Sequence, residues 1–165
     1  MMQLKRQQVK AMLDIISKDN TRPALENAKV VKYNDKLYLT GTDSYTLFML
    51  EVNDEGLLNR VIHRSELERW YKLATGKDYL TDEVLNDMHY TDATFPEIKD
   101  ILDRSLTGEQ TDVIGFNADY AKKIQTLFGV DGLTLKLNGK LGAMVFENTS
   151  TDNAGYGLIM PLKVK

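Results

Sequence analysis

The chain has 165 residues, 42% of them hydrophobic and 27% charged, with a net charge of −3. That is ordinary composition for one globular domain with its own core, and it excludes an intrinsically disordered chain. With no cysteine, and with His63 and His89 as its two imidazoles, the chain also excludes disulfide frameworks, thiolate zinc sites, cysteine nucleophiles and histidine-rich metal centres.

Taken in order, the first element is helical by period. Val9, Met12, Leu13 and Ile16 fall at i, i+3, i+4 and i+7, which makes one apolar face of a helix over roughly 5–18. On another face Arg6, Lys10, Asp14 and Lys18 recur every fourth residue, a mostly basic stripe. Pro23 follows closely and ends the helix near Lys18–Asn20. Three strands come next: Lys29–Tyr33 up to a turn at Asn34-Asp35, Lys36–Thr40 up to a turn at Gly41–Ser44, then Tyr45–Val52. Short strands with tight turns between them predict an antiparallel meander.

The middle segment, 53–112, is less regular. Arg60–His63 reads as a strand. Ser65 caps a helix over Glu66–Ala74 that Gly76 ends, with Leu67, Trp70, Tyr71 and Ala74 on its apolar face. Residues 77–94 are acidic with weak period and read as a surface helix or loop. Phe95–Leu102 reads as a packed connector and Thr107–Gln110 as a polar loop.

The end of the chain repeats the order of its beginning. Asn117 is a good N-cap for a helix over Ala118–Phe128, and Gly129 a good C-cap. Its apolar face is Tyr120, Ile124, Leu127 and Phe128. Leu133–Leu137 then alternates as a strand, Asn138-Gly139 signals a hairpin, and Lys140–Phe146 returns. Glu147–Asn153 is a polar loop and Gly155–Val164 a last strand, where Pro161 implies an edge or a bulge. Stretches around Gln3-Leu4 and Asp112–Phe116 offer one more strand per half. The expectation is a single α+β domain over 1–165: a first repeat (1–52), an insert or connector (53–112) and a second repeat (113–165). Both repeats are helix-plus-antiparallel-strands units, with the two helices packed on one face of the sheets.

Charge follows these boundaries. Residues 3–33 hold seven Lys/Arg against three Asp/Glu, residues 34–52 one against three, residues 53–112 seven against fourteen, and residues 113–165 six against four. The body is acidic and the two helical stretches are basic. No apolar run approaches the roughly 20 residues of a membrane span, and residues 1–6 lack a signal peptide's apolar stretch. A cytoplasmic location with no membrane partner is expected. Phosphate loops, dinucleotide fingerprints, zinc-protease helices and nucleophile elbows are all missing. No catalytic residue, metal ligand or cofactor is therefore assigned, and an enzyme using the acidic middle with His63 or His89 ranks last.

Three stretches give the chain a family likeness. Asn20–Ala28, with Arg22-Pro23, precedes Leu37–Asp43, with Thr42-Asp43. Phe95-Pro96-Glu97-Ile98 is the second. Ile114–Tyr120 through Leu158-Ile159-Met160-Pro161-Leu162-Lys163-Val164 is the third and fullest. In this order they resemble the bacterial DNA polymerase sliding clamp, the processivity ring. The resemblance implies helices lining a DNA hole, sheets forming an outer wall, and no enzymatic activity. It implies weak, sequence-independent contacts of Arg6, Lys10, Lys18, Arg22, Lys122 and Lys123 with double-stranded DNA. It also implies a pocket for a peptide of a polymerase or other replication protein, built from Thr42, Ser44, Tyr45, Leu47, Pro96, Met160, Pro161 and Leu162. The chain departs from the family at Ser44, Tyr45 and Thr46, where clamps carry glycine, histidine and arginine. It has length for one such domain plus an insert. A homo-oligomeric ring would therefore need more copies than a clamp uses. The alternatives are a solitary clamp-like domain of the kind a phage encodes, or an adaptor or decoy that binds a replication protein without encircling DNA.

Overall fold

A computed structural model describes residues 2–105, 114–150 and 153–163. Strand β1 (Gln3–Lys5) leads into helix α1 (Arg6–Ile15). After a 3-10 turn at Pro23–Glu26 come β2 (Asn27–Tyr33), β3 (Lys36–Thr42) and β4 (Thr46–Val52). The middle holds β5 (Val61–His63), α2 (Arg64–Leu73), β6 (Tyr79–Thr81), α3 (Asp82–Asn86) and α4 (Lys99–Ser105). Helix α5 (Ala118–Phe128), β7 (Thr134–Lys136), β8 (Met144–Asn148) and β9 (Gly155–Ile159) complete the chain.

Seven strands form one antiparallel sheet in the order β5-β2-β3-β4-β9-β8-β7, and β1 pairs with β6 apart from it. Apart from β5 at one edge, the large sheet is arranged as two matching halves: β2-β3-β4 of the first unit meets β9-β8-β7 of the second at a β4–β9 seam, with Leu47 opposite Leu158 and Met49 opposite Tyr156. The duplication expected from element order is thus a property of the sheet. The β2–β3 turn has Asn34 at φ 47° and Asp35 at φ 63°, the left-handed pair that a two-residue hairpin needs and that Asn and Asp tolerate.

Strand alternation sorts side chains onto two faces. Ala28, Val30, Leu39, Phe48, Leu50, Met144, Phe146 and Ile159 pack under Val9, Met12, Ile16, Ile124 and Leu127 of the helical layer. Tyr33, Tyr38, Leu47, Met49, Val145 and Leu158 face the other way and pack against Ile98 and Leu102. Helices α1 and α5 lie side by side on the first face, tied by Gln8 Nε2 donating to Leu127 O at 2.9 Å. Gly157 admits α5 closely: a Cβ there would stand 2.6 Å from Ile124 Cγ2.

Several boundaries differ from expectation. Helix α1 stops at Ile15, short of Lys18, because its last carbonyls are taken by other elements. Arg64 Nη1 donates to Leu13 O and, at 2.7 Å, to Ile16 O, while Lys123 Nζ donates to Asp14 O at 3.0 Å. Helix α2 starts at Arg64, capped not by Ser65 but by His63, whose Nδ1 accepts from Ser65 N at 3.2 Å. It ends at Leu73, before Gly76. Residues 77–94, expected as a surface helix or loop, do hold the short helix α3 and an irregular stretch after it, but they also add a strand and core: β6 pairs with β1, and Leu80 and Leu85 are fully buried. Asn138-Gly139 makes no two-residue hairpin. Asn138 is buried with Nδ2 on Arg104 O at 2.6 Å, so the return strand begins only at Met144 and Lys136 pairs with Val145. The last strand stops at Ile159, before Pro161. The expected Thr107–Gln110 loop, Asp112-Val113 and Val164 lie outside the described residues.

Candidate partner pocket and basic helix face

The β3–β4 turn is built by its own side chains. Asp43 Oδ1 accepts from the N–H groups of Tyr45 at 2.9 Å and Thr46 at 2.7 Å, a side-chain turn that lets Ser44 sit at φ 79°. Thr42 Oγ1 donates to Thr46 O at 2.7 Å and accepts from Ser44 N at 3.1 Å. Arg22 Nη1 reaches Ser44 Oγ at 3.4 Å from the neighbouring loop. In that loop the Thr21 hydroxyl, then the Thr21 N–H and Arg22, hold the Asp19 carboxyl below its ordinary range. The turn presents Tyr45, which is 57% exposed and stacks on Tyr120 of α5 with ring centroids 6.5 Å apart. The chain beyond β9 docks beside it through Met160 N donating to Tyr45 O at 2.9 Å.

These groups surround an open cavity of about 200 Å³ on the face of the sheet opposite α1 and α5. Of the sequence-expected residues, Thr42, Ser44, Tyr45, Leu47, Pro96 and Met160 line it. Pro161 and Leu162 do not. Leu162 N donates to Gly115 O at 2.7 Å, which leads the chain away from the cavity. Leu25, Thr46, Ile98, Ile101 and Leu158 complete the lining. Spacing in the connector, with apolar residues at 98, 101 and 102, carried a signal for Ile98 and Ile101. Nothing in the sequence marked Leu25. The wall is apolar: Met160 and Ile101 stay 43% and 39% exposed where a monomer gains by burying them. On the same face of the sheet, burial pushes the Tyr38 hydroxyl up to about 12.

The six basic residues occupy three places. Lys10, Lys122 and Lys123 line a shallow concavity of about 490 Å³ between α1 and α5, together with Asp14 and Asp119. Lys10 pairs with Asp14 at 3.4 Å, and Lys123 stands 5.1 Å from the Tyr120 ring centroid while capping α1. Arg6 turns toward α2, with Nε donating to Tyr71 O at 3.0 Å and its guanidinium 4.3 Å from that ring. Lys18 and Arg22 lie beyond the end of α1, on the side of the Ser44 turn. The basic surface is therefore interrupted: two of the six cations, Arg6 and Lys123, bind carbonyls in the last turns of α2 and α1. Arg64, not singled out from sequence, is the most structurally committed cation, at 8% exposure. Among the described residues no group of acidic, histidine or cysteine side chains is arranged to hold a metal ion, and no helix is long and apolar enough to cross a membrane.

No protein-family model matches the sequence, and no curated protein matches it. The fold does have known counterparts. The DNA polymerase III beta subunit of Borrelia burgdorferi superposes with a TM-score of 0.66 at 12% identity, covering 99% of this chain and 64% of that one. The H. pylori beta clamp gives 0.65 at 11%, covering 99% and 66%. The DnaN sliding clamp of Bartonella birtlesii gives 0.63 at 16%, covering 98% and 65%. Over nearly its whole length the chain thus has the fold of bacterial sliding clamps, while spanning under two thirds of the length of each of these proteins.

Proposed function

We propose that this chain is a non-enzymatic, clamp-like replication accessory that holds a polymerase or another replication protein at double-stranded DNA in the cytoplasm. One observation carries the reading. Six residues separated by more than a hundred positions in sequence converge on one apolar cavity, on the face opposite the paired helices. An apolar pocket with a few backbone groups at its rim suits a short hydrophobic peptide. The opposite face, with Lys10 and Lys122 lining the concavity between α1 and α5, suits phosphates, which need only placed positive charge. In this reading the chain is one domain with 53–112 as an insert, and several copies assemble around the duplex.

A specific observation favours a second reading, an adaptor or decoy that takes the peptide without encircling DNA. Arg6 and Lys123 are committed to backbone carbonyls, and Asp14 and Asp119 dilute the helix face.

Two measurements test the proposal. Mass by light scattering separates a closed ring from a monomer or dimer, and the latter favours the adaptor. Calorimetric titration with short hydrophobic peptides, beside Met160→Lys, tests the pocket. Met160 is exposed enough for the variant to keep its melting curve, so binding to wild type and its loss in the variant is the expected result. No heat with any such peptide removes the pocket.

A further inference from the structure

A second cavity, of about 390 Å³, adjoins the apolar pocket, and Pro96 and Ile98 line both. Its floor is apolar, with Val31, Leu58, Phe95 and Leu102, but its walls carry Lys29, Lys32 and Lys99. None of these lysines makes an ion pair among the described residues. By contrast, Lys36 of β3 is paired with Glu51 at 2.7 Å and Lys136 of β7 with Glu147. The carboxylate that lines the cavity, Glu97, has Oε1 turned to Lys99 N at 3.0 Å. At its edge, Asp103 accepts from Tyr33 OH at 3.1 Å, and burial, then Asp103, raises the Tyr33 pKa, so that hydroxyl stays neutral. The two cavities thus meet at Pro96 and Ile98, one apolar toward Tyr45 and Met160, the other carrying cations toward Lys29 and Lys99.

Resting on the pocket reading above, we infer that the partner segment is an acidic linear peptide: an apolar side chain seated between Leu47, Ile101 and Met160, with adjoining Asp or Glu residues laid along Lys29, Lys32 and Lys99. Charge complementarity selects this occupant. The alternative polyanion, single-stranded nucleic acid, needs exposed aromatic faces for its bases. The one aromatic ring beside these lysines that is not deeply buried, Phe95, is itself packed against the core of this face.

The test uses the full chain and synthetic peptides with a Leu-Phe core, carrying either three Asp/Glu residues or three Asn/Gln residues on one side, in both flank orders. In one order the acidic flank is expected to tighten binding about tenfold over the neutral flank at low salt, from a few exposed ion pairs of ordinary strength. That gain should vanish in Lys29→Gln/Lys99→Gln and shrink at high salt, with the melting curve and neutral-flank affinity of the variant unchanged. Equal affinity for acidic and neutral flanks, or a gain that survives in the variant, overturns the inference and leaves the pocket reading standing. Binding of neither peptide overturns both. An oligothymidylate that binds wild type and is lost in the lysine variant, with no acidic-flank gain, assigns this surface to nucleic acid and overturns the inference as well.

Discussion

The molecule builds the same helix-plus-strands unit twice, and the two copies stop their helices by different means. In the second unit the signals are local. Asn117 Oδ1 accepts from Asp119 N at 3.0 Å, and Gly129 ends α5 at φ 70° with its N–H on Gln125 O at 3.0 Å. In the first unit α1 has neither a capping side chain at its start that is Ser, Thr, Asp or Asn nor a left-handed residue at its end. Gln8 bonds back to Lys5 N at 2.9 Å, and the last carbonyls wait for Arg64 and Lys123 from elsewhere in the chain. Position explains the difference. Helix α1 has α5 on one side and α2 on the other and buries six of its ten residues, whereas α5 buries three of eleven. A helix in the middle of a layer can leave its ends to its neighbours, while one at the side must carry its own stops.

Substitutions at the four capping groups can break that contrast. The largest effect is expected from Arg64→Met, which leaves the Leu13 and Ile16 carbonyls orphaned in the core: about 3 kcal/mol of lost stability, with faster hydrogen exchange in the last turn of α1 and in α2 but not in α5. Gly129→Ala forces a side chain into the left-handed region and sets a Cβ 2.8 Å from Gln8 Nε2. That amide is held on Leu127 O and Lys5 N, so crowding adds to the backbone strain, and a denaturant midpoint should report about 1–2 kcal/mol. Asn117→Ala should cost about 1 kcal/mol and fray only the first turn of α5, seen by amide exchange. Smallest is Lys123→Met, which loses the bond to Asp14 O and the cation beside the Tyr120 ring: about 0.5–1 kcal/mol, with its exchange signature in α1 although the mutation is in α5. Should Asn117→Ala loosen α1 as much as α5, the distinction between local and borrowed stops is void.

The same contrast decides what could be read in advance. Asn117, Gly129 and the Asn34-Asp35 turn act through their own backbone, so the first turn of the meander and the whole of α5, Ala118–Phe128, were legible to the residue. The end of α1 was not, because Arg64 lies some fifty residues downstream and no periodicity links it to Leu13. Elements β6 and α3 were hidden by brevity: three and five residues are too few for a period to show against a run of acids, although Leu80, Leu85 and Met88 are core. Asn138-Gly139 misled because Asn138 found a buried partner in Arg104 O, and tertiary bonding outweighed a local turn preference. At the candidate site, resemblance pointed to Thr42, Ser44, Tyr45, Leu47, Pro96, Met160, Pro161 and Leu162, and the cavity gathers all but the last two. Leu25 and the lysine cleft come from strands and turns brought together only by the sheet.

The β4–β9 seam also sets an order of events in time. Leu47 and Leu158 are direct partners, so β4 is made roughly a hundred residues before the strand that covers its open edge. Closing so long a loop adds entropy cost only slowly with length, but it makes the step slow. Through that interval β2, β3 and β4 can assemble as a local meander whose last strand, Thr46–Val52, displays a free row of backbone donors and acceptors beside Phe48 and Leu50. An exposed apolar edge is the surface on which chains join to one another. The half-made protein is therefore most exposed to self-association while its second unit is still being synthesised, and arrival of residues 155–159 both completes the sheet and removes the hazard.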